Sequence, residues 1–476
     1  MKRRRFLGRA AAAAMGVVTG ETLFALAASG STASPRSRAR NAHYGELRRI
    51  PDADGNIVLA LPEGFQYVTF SRTGERYAPG LVVPRSHDGM ACFRGRGDVV
   101  RLIRNHDLRH PAGDFTLGVD VPAHLRYDAK AMAGCMTLDF DMRAKRLVRQ
   151  FASVGGTMVN CSGGWAYRKS GWITCEETIA GVREGFDKPH GYCFYVPADA
   201  DATVRAVPLT AMGRFVREAA VTDERGIVYQ TEDAGNTSGF YRFTPETPGV
   251  LSRGKLQMLS VAGRTQANLY QGQHAGARLP VTWVDVGDPD PDLDLGDPTC
   301  FQQGRARGGA AFNRLEGIFR GEDGRSVYFV STSGGDRPGE PGQGYGQLWR
   351  YVPTAGAQKA DELVLVFEAT AASVLESPDN LCISPSGAIL FCEDDALGNR
   401  DAHPLAPCIA EVNRLVGLAV TGEPFTFAVN VLNRSEFAGS CFSPDGEVLF
   451  VNLYGDGAAL SGMTCAVWGP WERGPL

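Results

Sequence analysis

The sequence predicts an all-β protein, a six-bladed β-propeller with an inserted loop region. Three observations predict it. Helical periodicity is scarce after the first forty or so residues. Glycine is abundant, 58 of 476 residues, without low-complexity repeats, which suits many tight turns between short strands. Above all, one pattern recurs: a strand closing on an acidic or amide loop, answered by a strand of alternating aromatic and apolar residues.

Six such units occur, mostly about sixty residues apart. The first pairs 99–107 with 135–140, the second 171–177 with 191–197, and the third 227–233 with 239–245. The fourth pairs 327–332 with 347–353, the fifth 388–394 with 408–412, and the sixth 448–452 with 465–468. The longest gap, about residues 245–310, holds a Gly-, Pro- and Asp-rich run from Asp285 to Asp297, which marks an insertion into one blade. A two-sheet sandwich can also hold a dozen strands, but such regular repetition is not a property of that fold.

Bulk composition narrows the function. A hydrophobic content of 43% and a charged content of 21% belong to a globular protein with a substantial core. The formal net charge of -4, with no basic stripe beyond the first forty or so residues, argues against a nucleic-acid partner. The eleven cysteines form no C-x-x-C pair, their odd number leaves at least one unpaired, and no connectivity follows from their spacing.

The N-terminus reads as a targeting segment. Arg3-Arg4-Arg5-Phe6-Leu7 matches the twin-arginine pattern, and an Ala-rich stretch leads to the cleavage site Ala25-Leu26-Ala27. Residues 1–28 are therefore expected to be removed, with 29–45 a flexible leader and 46–476 the propeller. The stretch is too interrupted for a stable membrane span. The expected partner is the twin-arginine translocation machinery, which exports proteins already folded, to the periplasm or beyond. The mature protein is expected to be a monomer.

The repeats carry a chemical regularity. About nine to twelve residues before four of the strands sits a carboxylate: Glu218, Glu316, Asp379 and Glu436. The innermost strand of every propeller blade faces the central channel, so these acids are expected to converge on the axis as a ring that repels itself unless cations neutralise it. The octapeptide Gly171-Trp172-Ile173-Thr174-Cys175-Glu176-Glu177-Thr178 adds a soft thiolate beside hard carboxylates, which suits a mixed-metal site. A structural cysteine beside a solvated acidic turn is the plain alternative.

These motifs, taken in order, resemble the PhoX-type alkaline phosphatases over nearly the whole chain after the leader. The matching pieces include Asp88-Gly89-Met90, Asn105-His106-Asp107, Asn160-Cys161-Ser162-Gly163-Gly164, the uncommon Thr174-Cys175-Glu176-Glu177, Gly213-Arg214-Phe215 with Glu218, Arg314-Leu315-Glu316-Gly317 and Ser377-Pro378-Asp379-Asn380. The resemblance implies a six-bladed propeller that hydrolyses small-molecule phosphate esters, monoesters and some diesters. It implies a cluster of ferric iron (Fe3+) and calcium (Ca2+) in the channel. By the same resemblance Cys175 ligates iron, Glu218 and Glu316 bind the cluster, and Glu176, Glu232, Asp233, Glu393 and Asp394 are calcium ligands. Arg314 reaches the substrate phosphate, where a planar guanidinium can donate two hydrogen bonds. Arg314, Cys175 and Glu316 are the expected catalytic residues.

Three departures from the family pattern stand out. Asp107 replaces a glutamate, Arg217 replaces a histidine before the cluster glutamate, and Ala234 to Gly239 replace an aromatic run. Two other readings therefore stand beside the phosphatase. One is a non-catalytic propeller holding metal for structure. The other is a lactonase-like calcium hydrolase, since Pro378-Asp379-Asn380 also suits calcium-binding propellers.

Overall fold

The computed structural model describes residues 44–337, 339–354, 360–394, 413–455 and 461–476. Antiparallel hairpins follow one another around an axis as six blades. Blade 1 is formed by His87–Arg94, Val99–His106, Ala133–Asp141 and Arg146–Thr157. Blade 2 has Asn160–Trp165, Gly171–Glu176 and Cys193–Pro197, and blade 3 has Arg217–Thr222, Val228–Glu232, Phe240–Pro245 and Gly254–Val261. Blade 4 contains Leu315–Arg320, Val327–Ser331, Gln347–Val352 and Asp361–Glu368. Blade 5 contains Pro378–Ile383, Ile389–Glu393, Arg414–Leu418 and Pro424–Asn430. The expected strand at 408–412 lies outside the described residues, and Arg414–Leu418 is the third strand there.

Blade 6 closes the ring. Its strands Phe437–Phe442, Val448–Leu453 and Met463–Trp468 are completed by Gln66–Phe70 from the start of the chain. Joining the two ends of the chain in one sheet closes the ring at the seam. Tyr67 anchors this strand: it is buried and its hydroxyl donates to the carbonyls of Ile50 and Asn56 at 3.0 and 3.1 Å. Burying an apolar side chain of that size is worth about 1.5–3 kcal/mol, so the closing strand contributes measurably to cohesion.

The core is divided as the blade count requires. Each strand turns alternate side chains to opposite faces of its blade. Six large apolar clusters result, one in each gap between neighbouring blades. Phe240 stacking on Phe329 at 4.3 Å, for example, joins blade 3 to blade 4.

The insertion is smaller than the sequence suggested, because Gly254–Val261 is the outer strand of blade 3. The rest contributes the strand Arg278–Asp285, which pairs with both Gly254–Val261 and Asp361–Glu368, and the short helix Cys300–Ala306. It welds blades 3 and 4 into one nine-stranded sheet. No helix among the described residues is long and apolar enough to cross a membrane.

Candidate metal centre

One local device opens every blade. The pairing of each innermost strand with its neighbour slips between His87 and Met90, Asn160 and Gly163, Arg217 and Ala220, Leu315 and Ile318, Pro378 and Leu381, and Ala438 and Cys441. A bulge places an extra residue in one strand and re-aims its side chain. The first residue in each slip is Asp88, Cys161, Glu218, Glu316, Asp379 and, in blade 6, Gly439. Five blades thus offer a metal-ligand side chain at one structural position.

A second position supplies partners. The residue directly after the second strand is Asp107 in blade 1, Glu177 in blade 2, Asp233 in blade 3 and Asp394 in blade 5. Each is pinned by its backbone, which donates to the carbonyl just before the innermost strand: Asp107 to Ser86 at 3.0 Å, Glu177 to Val159 at 2.8 Å, Asp233 to Val216 at 3.0 Å and Asp394 to Ser377 at 2.9 Å. Ser86, Val159, Arg314 and Ser377 all hold positive φ, between 44° and 58°. For a β-branched valine this conformation costs on the order of 1–3 kcal/mol, strain that collects at functional sites.

The two positions, with Glu436 just before the innermost strand of blade 6, build one continuous cluster. Five overlapping trios have ligand atoms within 4.8 Å of one another: Asp88, Asp107 and Cys161; Cys161, Glu177 and Glu218; Glu177, Asp233 and Glu316; Glu218, Glu316 and Asp379; Asp379, Asp394 and Glu436. Among the described residues, both buried carboxylate oxygens of Glu218 have no hydrogen-bond partner, nor has one buried oxygen each of Asp88 and Asp107. Burial, then the charges of Asp379 and Glu316, holds the Glu218 carboxyl well above its ordinary range. Burial, then Asp394, pushes Asp379 up to about 7. Orphaned buried oxygens in a self-repelling cluster are what cation ligands look like without their cation, so the donor set fits metal.

Two arginines reach this cluster. Arg314 pairs with Glu316 at 2.8 Å and Asp233 at 3.3 Å, and its side chain is 39% exposed. Arg109 pairs with Asp107 at 3.1 Å and with Glu177, and is 56% exposed. Both guanidinium groups therefore touch cluster carboxylates and solvent at once.

The structure moves the thiol. Cys175 pairs across strands with Cys193, their sulfurs 3.6 Å apart, inside the apolar gap between blades 2 and 3. It belongs to none of the trios, because the body of a second strand lies one strand out from the axis. The sulfur at the cluster is Cys161, 3.4 Å from Asp88. Asn105 holds its backbone in place, donating to the carbonyls of Cys161 and Ser162 at 3.0 and 2.7 Å. Cys161 precedes its second strand by the same interval as Glu218 does, a signal that a search restricted to acids passes over.

The acidic doublets split by strand parity. Successive side chains point to opposite faces, so Glu177, Asp233 and Asp394 turn to the cluster while Glu176, Glu232 and Glu393 turn away. Glu176 accepts from the backbone of Met158, Gly191 and Tyr192 and pairs with His190 at 2.6 Å. Glu232 accepts from the Tyr241 hydroxyl at 2.6 Å and the Gly239 N–H at 3.0 Å. Glu393 is clasped by Arg414. Glu176 and Glu393 have both oxygens bonded, and Glu232 is held through one of its two. Asp88, Asp107, Cys161 and Glu177 are the cluster members the sequence reading did not assign.

The same parity resolves Arg217. Its guanidinium points away from Glu218, donates to the carbonyls of Gly191, Met212 and Gly213, and lies 3.9 Å over the Phe215 ring.

A family model described as Alkaline phosphatase PhoX matches residues 43–148 and 142–457. Among solved structures, Pseudomonas fluorescens PhoX in complex with vanadate, a transition state analogue, is 18% identical with a TM-score of 0.64. That match covers 90% of this chain and 99% of that one. A gluconolactonase from Xanthomonas campestris is 10% identical at a TM-score of 0.41, covering 90% of this chain and 98% of that one. No curated protein matches by sequence.

Proposed function

Since the chain belongs to the alkaline phosphatase PhoX family, we propose that it is an exported phosphatase cleaving phosphate monoesters, and some diesters, at an iron and calcium cluster on the propeller axis. Membership makes it a phosphoric ester hydrolase of a metal-dependent family. The trios containing Cys161 suit ferric iron, because they join a soft sulfur to hard carboxylates. The all-carboxylate trios around Glu316 and Asp379 suit calcium. When bound, these cations supply Lewis-acid stabilisation of charge on the phosphoryl oxygens.

The chain's own groups do the rest. Arg314 presents a fork that can donate two hydrogen bonds to one phosphoryl group while Glu316 and Asp233 fix its orientation. Holding the ester in one pose lowers the entropic part of the barrier. The observation that carries this reading is the convergence of nine carboxylates and one thiol beside two half-exposed arginines. The non-catalytic alternative draws on Arg217, whose charge is turned from the axis, and on Ala234 to Gly239 in place of an aromatic run.

The test is metal analysis beside a phosphatase assay. Purified protein is expected to contain iron and calcium and to release p-nitrophenol from its phosphate monoester. Full metal content with no hydrolysis of mono- or diesters overturns the proposal. Export by the twin-arginine route, whose signal lies outside the described residues, is tested by Arg3→Lys with Arg4→Lys. That pair is expected to leave active enzyme in the cytoplasm.

A further inference from the structure

The channel has a second mouth. Beyond the cluster it narrows to a void of about 30 Å3 lined by Met90, Val221, Ile318, Leu381 and Cys441 among others. At the far end of the innermost strands it opens into a cavity of about 700 Å3, framed by the hairpin turns of the blades. Trp165 and Phe319, their rings 5.0 Å apart, form an aromatic wall there.

This cavity gathers four cations against three acids. Lys169 lies 3.8 Å and Arg320 5.9 Å from the centre of the same Trp165 ring. Arg94 and Arg168 also line the space. Among the described residues none of these four makes an ion pair; the lining acids Glu224, Glu322 and Asp445 sit on the turns of blades 3, 4 and 6. Burial, and then the charge of Arg320, holds the Lys169 ammonium below its ordinary value. Arg168 and Lys169 sit at φ of 56° and 55°, an uncommon conformation for two consecutive residues with side chains.

We propose that this mouth is a second ligand site, taking a small organic oxyanion whose apolar or aromatic body lies on Trp165 and Phe319 while its charge bridges Lys169 and Arg320. Two like charges over one indole leave a gap that a single anion neutralises. The aromatic wall gives that anion's body an apolar face to cover. Small-molecule sites are concave, with apolar or aromatic walls and a few converging polar groups. The site is separated from the metal centre by the narrowed channel, so its occupancy and the phosphatase reading stand independently.

The experiment uses the full metal-loaded protein and benzenesulfonate, an aromatic oxyanion the enzyme cannot hydrolyse, with sulfate as the inorganic control. Benzenesulfonate is expected to quench tryptophan fluorescence saturably and to bind at least tenfold more tightly than sulfate. Trp165→Phe is expected to abolish the quenching signal. Lys169→Ala combined with Arg320→Ala is expected to weaken binding at least tenfold by calorimetry with phosphatase turnover unchanged. Binding that is absent in the wild type, equal for sulfate, or unaltered in the double variant overturns the proposal.

Discussion

The Cys161 sulfur lies 3.4 Å from a carboxylate oxygen of Asp88, although 73 residues separate them in the chain. The contact joins the bulges of blades 1 and 2, and it shows how the site is made. Repeated bulges bring equivalent positions of different blades to one axis, and the sequence fills those positions with ligand chemistry.

Exchanging the two cysteines separates the roles argued here. Cys161→Ser is expected to lower iron content and reduce turnover by roughly 100-fold or more, the scale on which metal sites respond to lost supporting groups. Cys175→Ser instead places a hydroxyl in an apolar gap and is expected to cost about 1–3 kcal/mol of stability. Its turnover per folded molecule should match wild type. Metal analysis, thermal unfolding and kinetics on both variants decide the point; equal iron loss in the two would reverse the assignment.

Much of this was legible in the sequence, for a physical reason. The blade count follows from strand period and turn residues, which are local, and the family resemblance names the chemistry. Glu218, Glu316, Asp379 and Glu436 were legible as converging acids because they stand at fixed intervals before the strands. Cys161 stands at the same interval and needed only a search for thiols as well as acids; the choice between Glu176 and Glu177 was not legible. It depends on register and on which strand is innermost, and one residue of shift reverses the face a side chain takes.

Removing metal should destabilise the fold. A ligand present at about a thousand times its dissociation constant adds about 4 kcal/mol to the native state. Extended treatment with a strong chelator is expected to lower the unfolding midpoint by roughly 5–10 °C, and added calcium to recover part of it. The orphaned oxygens of Glu218 predict this direction, since nothing else among the described residues compensates them. A midpoint unchanged by complete, verified metal removal would contradict the cation role of the cluster.

A pH dependence is built in beside the site. His190 is fully buried between Glu176 at 2.6 Å and Asp128 at 3.6 Å. Burial opposes its charge, but these two acids outweigh that and raise it to about 9. A folded pKa above the unfolded value of about 6.5 means the stabilisation is complete below that pH. It fades as pH rises and is gone above about 9. The size is on the order of 3 kcal/mol. Denaturant melts of wild type and His190→Gln should therefore differ most near pH 6 and converge near pH 10. A gap that widened with pH would refute the charged pair.

The arginines should differ in kind as well as in size. Arg314→Lys keeps a charge but loses the planar fork, and charge-assisted hydrogen bonds are worth about 1.5–3 kcal/mol each. A fall in kcat/KM of roughly 10- to 100-fold is expected, carried by kcat if the fork acts on the transition state. Arg109 bridges Asp107 in blade 1 to Glu177 in blade 2, and both of those belong to trios containing Cys161. Arg109→Ala removes positive charge from two carboxylates that would also face cations. It is therefore expected to tighten metal retention against a chelator while raising KM for the anionic ester. Arg109→Lys should restore much of the KM, because position of charge rather than fork geometry is what that bridge supplies. If Arg109→Ala released metal faster than wild type, the residue would be a structural tie of the cluster and not a counter-charge shared with substrate.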